Sequence, residues 1–94
     1  MSYRKNSEWN EANEIRCLII FKKLKEEKFP HGKQIEYCRD MSKLTNLGVG
    51  SISAKVSNYK SVAGKNNPSN ASQNTKDIYK KYKNFTIEDL EDLI

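Results

Sequence analysis

The feature that most constrains the fold of this chain is a short turn followed by a single apolar helical stripe. Four side chains recur at i, i+3, i+7 and i+10, the spacing of one helix face: Val49, Ile52, Val56 and Tyr59. The turn before them, at residues 45–48, contains a glycine and ends an earlier helical pattern. Two helices joined in this way form either an ordinary helical hairpin or a helix-turn-helix that reads DNA, and the ordinary hairpin is the more frequent of the two.

Helical periodicity covers most of the remaining chain, and no strand pattern is longer than a few residues. The predicted helices span residues 9–28, 34–44 and 49–60, and two short helices follow within residues 75–94. Their starts carry suitable N-cap residues: Asn10, Gly48, Ser72 or Asn74, and Thr86 in a capping box with Asp89. The sequence therefore predicts an all-α fold, a small helical bundle of four to five helices that contains the helix-turn-helix.

Composition divides the chain into an arm and one domain. Residues 1–8 are polar and basic and are expected to form a flexible arm, whereas residues 9–94 have the length of a single helical domain. Within that domain the helix-turn-helix lies at about residues 34–60. One proline and an Asn/Ser/Gly-rich composition predict a loop at residues 61–74, before the C-terminal helices at residues 75–94.

Two of the predicted helices differ in how they distribute their apolar side chains. The first is apolar on two opposite sides, with Leu18 and Phe21 on one and Ile15 and Ile19 on the other. Such a helix is either central to the bundle or shared with a partner chain, so a protein partner or a homodimer through this helix stays open. The second helix has a predicted inner face formed by Ile35, Cys38, Met41 and Leu44.

The charge distribution favours a polyanionic partner. The net charge is +5, and residues 88–94 hold four acids and no base, which leaves a net charge of +9 over residues 1–87. A basic body of this size suggests nucleic acid, although a lysine-rich composition also serves solubility alone. The longest apolar run is far too short to span a bilayer, and the N-terminus has no signal peptide pattern. We therefore expect no membrane association and a cytoplasmic location.

The sequence offers no catalytic constellation. His31 is the only histidine, and it follows a proline in a predicted surface turn. Cys17 and Cys38 lack the CxxC spacing of a zinc site, so buried, reduced thiols are their predicted state. No glycine-rich phosphate loop is present. We expect a protein that is not an enzyme, with no cofactor, no metal and no small-molecule substrate.

The sequence offers more candidate residues for binding than for catalysis, and they lie along the polar side of the helix at residues 49–60. Ser51, Lys55 and Asn58 lie at i, i+4 and i+7, so they are predicted to project along one line and to contact base edges or phosphates. Gly50 keeps that side slim, although small residues also serve tight helix packing. The predicted phosphate contacts come from nearby basic residues and from the arm: Lys60, Lys43, Arg39, Lys65, Arg4 and Lys5.

Four short motifs follow one another along the chain. They are Trp9-Asn10-Glu11 with Glu14, Phe29-Pro30-His31-Gly32-Lys33, Ser51-Ile52-Ser53-Ala54-Lys55-Val56-Ser57-Asn58-Tyr59, and Ser72 followed by Asp77-Ile78-Tyr79-Lys80-Lys81-Tyr82. In their order and spacing, over residues 9 to about 84, the chain resembles the N-terminal DNA-binding-like region of bacterial HNH restriction endonuclease-type proteins. The resemblance implies target binding through Ser51, Lys55 and Asn58, whereas Gly50 stands where the family often has a polar residue. The family's nuclease module, with its His-Asn-His metal chemistry, has no counterpart here.

These observations predict a sequence- or modification-specific duplex DNA-binding domain that has no catalysis of its own. It would act as a small regulator or as the recognition module of a restriction-type protein. The alternative is a small phage or mobile-element protein that binds and inhibits a host or defence protein. The acidic C-terminal helix and the doubly apolar first helix are the features that favour this alternative.

Overall fold

A computed structural model of the protein describes residues 9–64 and 72–94, which form five α-helices. In chain order the helices are α1 (Glu11–Glu26), α2 (Lys33–Leu44), α3 (Val49–Val62), α4 (Gln73–Tyr82) and α5 (Ile87–Glu91). No strand occurs in the described ranges, so the predicted all-α bundle is confirmed. The predicted arm at residues 1–8 lies outside the described residues. Both α3 and α4 extend into the segment that was predicted as a loop.

Side-chain caps begin three of the helices at predicted positions. Asn10 starts α1 by accepting a hydrogen bond from the backbone N–H of Asn13 at 2.8 Å. Ser72 caps α4, and Thr86 starts α5 in a reciprocal capping box with Asp89. Each cap satisfies a backbone N–H that has no partner within its own helix, so the helix starts are fixed by local sequence.

Helix α1 is the centre of the bundle, because it packs against each of the other four helices. The apolar side chains on both of its sides are buried in one core: Ile15, Cys17, Leu18, Ile19, Ile20, Phe21 and Leu24. Helix α5 covers part of α1, and Leu90 of α5 is fully buried. The two-sided apolar pattern therefore reflects packing within the chain. The apolar surface on which a homodimer through α1 would depend is already covered.

Helix α2 buries fewer of its apolar residues than predicted. Cys38 and Met41 are buried, but Ile35 is 40% exposed and Leu44 is 77% exposed. Each residue of an α-helix is rotated by about 100° from the last, so a run at three-residue spacing drifts by about 60° per step. Ile35 and Leu44 therefore lie on opposite edges of α2, and the prediction that all four residues face inwards was wrong.

Both cysteines are free and buried, as predicted. Cys17 of α1 lies beside Met41 of α2, with the two sulfur atoms 3.8 Å apart. Burial raises the pKa of the Cys17 thiol, and the nearby carboxylate of Glu14 raises it further. Burial also raises the pKa of Cys38. The two thiols are thus protonated core side chains with little nucleophilic character.

The turn after α1 holds two non-glycine residues in the left-handed region, with φ of 63° at Lys28 and 54° at Phe29. Their backbone amides close the helix, since the N–H of Phe29 donates to the Leu24 carbonyl at 2.7 Å and that of Lys28 donates to the Lys25 carbonyl at 3.1 Å. This conformation costs an ordinary residue roughly 1–2 kcal/mol. Phe29 offsets that cost by packing against Phe21, with ring centroids 6.1 Å apart, whereas Lys28 is exposed.

We expect Lys28→Gly to stabilise the protein by about 0.5–1 kcal/mol, because glycine adopts the left-handed conformation without strain. The higher entropy of glycine in the unfolded chain cancels only part of this gain. Urea unfolding followed by circular dichroism measures the difference. The matched control is Lys25→Gly, one turn earlier on α1, which should lower stability by about 1 kcal/mol. A loss of stability for both variants would contradict the assignment of strain to residue 28.

Candidate nucleic-acid interface

Helix α3 turns one face to the core and the opposite face to solvent. Ile52, Val56 and Tyr59 are fully buried, as the apolar stripe predicts. The outward face consists of small, uncharged side chains: Gly50, Ser51 and Ala54, which are exposed, and Asn58 and Ser61, which are half-buried. A Cβ atom added at Gly50 would have no described atom within 4 Å, so there is room beside Gly50 on this side of the helix. We call these five residues the outward face of α3.

Lys55 does not project from the outward face. Its Nζ lies 3.3 Å from a carboxylate oxygen of Glu14 in α1, and it donates to the hydroxyl of Thr75 in α4 at 3.2 Å. The same ammonium sits 4.7 Å from the centroid of the Trp9 ring, a cation–π distance. The Lys55 side chain is 15% exposed and that of Glu14 is 1% exposed. The predicted line of three outward contacts is therefore reduced to Ser51 and Asn58.

The angle around the helix axis explains why Lys55 turns inwards. At about 100° per residue, Lys55 is rotated by about 40° from Ser51 towards the buried Tyr59. Asn58 is rotated by about 20° from Ser51 in the other direction, away from the core. At such a boundary, the long aliphatic part of a lysine side chain can place the ammonium in the interior when an acidic side chain is buried there.

The buried charge of Glu14 is compensated by two other helices. The hydroxyl of Thr75 lies 3.0 and 3.1 Å from the two carboxylate oxygens and donates to that carboxylate. The Ser72 hydroxyl, which caps α4, lies 3.1 Å from the same Thr75 oxygen. A buried carboxylate is tolerated only with a counter-charge and hydrogen bonds of this kind. The cluster of Glu14, Lys55 and Thr75 therefore ties α1, α3 and α4 together.

Sequence reasoning missed the pairing of Glu14 with Lys55 and Thr75, because it considered Glu14 only as part of the first short motif. A signal was nevertheless present in α1. Glu14 precedes Leu18 by four residues and Phe21 by seven, so it shares their buried helix face. An acid on a buried face requires a cationic partner from another element.

Lys60 is also held within the fold rather than directed along the outward face. Its ammonium donates to the side-chain oxygen of Gln34 and lies 5.2 Å from the centroid of the Phe29 ring. The amide group of Gln34 in turn donates to the hydroxyls of Ser53 and Ser57 at 3.0 and 3.3 Å. These bonds fasten the start of α2 along the flank of α3.

The remaining predicted phosphate contacts fall into two groups. Arg39 and Lys43 are exposed on α2, and neither forms an ion pair with another described residue. Lys65, Arg4 and Lys5 lie outside the described residues. Of the predicted phosphate contacts, those that remain available near the turn into α3 are thus Arg39 and Lys43 of α2.

Two kinds of site do not occur in the described part of the chain. No group of three or more His, Cys, Asp or Glu side chains there could hold a metal ion. Among the described residues there is also no helix with the length and apolar character needed to cross a membrane.

Comparisons with known proteins give no match. No protein-family model matches the chain, and no curated protein or solved structure is similar enough to count as one. The resemblance to the N-terminal region of HNH restriction endonuclease-type proteins therefore stays a prediction.

We expect Lys55→Met to lower the free energy of unfolding by about 3–5 kcal/mol, because it leaves the Glu14 carboxylate buried without its counter-charge. Glu14→Gln combined with Lys55→Met should lose less than the sum of the two single changes, since neither charge then remains unpaired. Urea unfolding of the four members of the cycle tests this, with Lys80→Met on the exposed side of α4 as the control. A loss of under about 1 kcal/mol for Lys55→Met would be the value of an ordinary surface pair and would contradict the assignment.

Proposed function

We propose that this protein binds duplex DNA by inserting the outward face of α3 into the major groove. The observation that carries the proposal is the composition of that face, which is slim, polar and uncharged along α3. The major groove is about 12 Å wide and admits an α-helix, and side chains as small as serine allow the helix backbone to approach the base edges. Catalysis is not part of the proposal.

Ser51 and Asn58 are the proposed base contacts. The two residues are seven positions apart on α3, or about 10.5 Å along the helix axis. That distance corresponds to roughly three base pairs at 3.4 Å each. An asparagine amide pairs with the edge of adenine, and a serine hydroxyl can donate or accept at several bases. Lys55 has a structural role instead: it fixes α3 against α1 and α4, so that the outward face is held rigidly.

Phosphate contacts from α2 would supply the affinity. Arg39 and Lys43 are exposed on the helix that precedes the turn into α3, and residues 1–87 carry a net charge of +9. Arginine and lysine side chains that neutralise phosphates release condensed counterions, which makes binding strongly dependent on salt.

The arrangement of α2, a four-residue turn and α3 supports assigning a helix-turn-helix, with α1 behind both helices. The resemblance to the region that precedes the nuclease module of HNH restriction endonuclease-type proteins points to the same role. The protein would be a small regulator or the recognition module of a restriction-type protein. The free thiols are compatible with the cytoplasm, where DNA is reached and thiols stay reduced.

A second candidate, an inhibitor of a host or defence protein, rests on one observation. Leu44 is 77% exposed and borders a groove of about 230 Å³ between α1, α2 and the C-terminus, which also includes Ile19, Ile20 and Ile94. The groove also has charged residues in its lining, and an exposed leucine beside apolar side chains with a polar surround is a common element of protein contacts. The apolar surface of α1, which also favoured this alternative, lies mostly inside the bundle.

We expect Ala54→Glu to weaken DNA binding at least about tenfold, because it brings a negative charge to the middle of the outward face. The fold should be kept, since Ala54 is exposed and glutamate is a good helix former. The matched control is Asn84→Glu, in the exposed turn between α4 and α5. Fluorescence anisotropy with a labelled mixed-sequence duplex measures both variants, at salt concentrations of about 50 and 200 mM.

The same assay tests the base contacts and the proposal itself. Asn58→Ala should weaken binding to a selected target duplex by roughly tenfold, the value of one lost base contact of 1–3 kcal/mol. Unmodified and methylated duplexes are compared in parallel. If the natural sequence binds neither at about 50 mM salt, the DNA-binding proposal fails.

The second candidate makes a separate prediction. We expect Leu44→Lys to abolish capture of a protein partner if that function holds, because a charge would replace the exposed apolar contact. Ala54→Glu should leave the capture unchanged. Affinity capture with tagged variants, carried out after nuclease treatment, separates partners held by protein from those held by DNA. Equal capture by the natural sequence and by Leu44→Lys would reject the groove as the contact.

A further inference from the structure

A polar cleft lies between the first turns of α1 and the end of α2, at one end of the proposed helix-turn-helix. Its volume is about 320 Å³, and it is lined by Asn10, Asn13, Arg16, Lys43, Leu44, Thr45 and Asn46. The last two residues belong to the turn that leads into α3. The cleft is thus continuous with the segment that positions the start of the outward face.

Among the described residues, the charged side chains that line this cleft are both cationic. Arg16 and Lys43 come from different helices, and no acid of residues 9–64 or 72–94 lines the cleft. Lys43 is exposed, and neither cation forms an ion pair with a described residue. Arg16 instead donates from Nη1 to the side-chain oxygen of Asn13 at 3.0 Å, a bond to a neutral group that orients the guanidinium.

The asparagines add neutral donors beside the two cations. The side-chain oxygen of Asn10 is already occupied, because it accepts the capping bond from the Asn13 backbone N–H. Its NH₂ group is therefore the end available to a ligand, and an NH₂ group can only donate. A planar guanidinium, an ammonium and an amide donor together match an anion with several oxygens, such as a phosphate group.

We propose that this cleft binds a backbone phosphate of the same duplex that α3 reads, with Arg16 and Lys43 as its two cationic contacts. The inference rests on the proposed DNA-binding function and adds Arg16, which had no assigned role. Asn46 in the cleft and Ser51 on the outward face are five residues apart, a reach of at most about 18 Å. A helix inside a groove about 12 Å wide brings its preceding turn against the phosphates at the groove edge.

The test compares Arg16→Gln and Lys43→Gln with Lys80→Gln, which removes the same charge from the exposed side of α4. Binding to a labelled mixed-sequence duplex is measured over a series of salt concentrations. Each cleft variant should lower the slope of log K against log salt by about one, the value of one phosphate contact, whereas Lys80→Gln should leave the slope unchanged. Thermal unfolding of each variant checks that the fold is kept. Because Lys43 has no ion pair with a described residue, its variant remains informative if Arg16→Gln disturbs α1.

If the cleft variants bind the duplex with the same slope of log K against log salt as Lys80→Gln, the cleft proposal is overturned. The DNA-binding proposal would still stand in that case. A titration of the protein with inorganic phosphate, followed by two-dimensional NMR, tests whether the cleft binds free phosphate instead of DNA. If the natural sequence binds no duplex but phosphate shifts the Arg16 Nε–Hε and Asn46 signals, and Lys43→Gln removes the shifts, the cleft is a site for free phosphate and its assignment to DNA is overturned. If neither the duplex nor phosphate binds, both proposals fall.

Discussion

The packing of this bundle depends on one ion pair placed inside it. Glu14 is the only fully buried acid among the described residues, and it sits on the helix that every other helix contacts. Its carboxylate would oppose folding strongly if it met only apolar neighbours. Lys55 from α3 and Thr75 from α4 provide the charge and the hydroxyl that it needs. The relative positions of three helices are therefore tied to the hydrogen-bonding geometry of a single side chain.

This arrangement separates the two faces of α3 by function. The inner face and its Lys55 boundary hold the helix in place, and the outward face carries small, uncharged side chains that are exposed or half-buried. In the proposed mode of binding, the long-range attraction to DNA comes from α2 and from the cleft at the start of α1, while α3 contributes only short-range discrimination. Affinity and specificity would then reside on different helices, so one could change without the other.

Much of the fold followed from local sequence, and the exceptions have physical causes. The helix starts at Asn10 and Thr86 were predictable because a cap involves residues only three positions apart. The apolar stripe of α3 was predictable from its period. The exposure of Leu44 was not predictable from spacing, which suggested that it faces inwards. Residues at three-residue spacing rotate around the helix axis, and only tertiary packing decides which of them are covered.

The candidate site was predicted less completely, since its details depend on contacts between distant segments. Ser51 and Asn58 are outward as predicted, but the direction of Lys55 is decided by an acid in another helix. Likewise, Arg16 and Lys43 approach one cleft only because α1 and α2 pack side by side. A single sequence carries no direct signal of such pairings. The acid on the buried side of α1 indicated that a cation must come from elsewhere, without identifying it.

The cluster of Glu14, Lys55 and Thr75 also has a consequence for how sequences of this kind can diverge. Thr75 lies 20 residues after Lys55 and 61 after Glu14, yet the three side chains touch. A change at one of these positions leaves the other two mismatched in the interior, so the three are expected to be replaced together rather than one at a time. Surface residues between them are under no such coupling. Distant relatives are therefore expected to show correlated changes at these three positions.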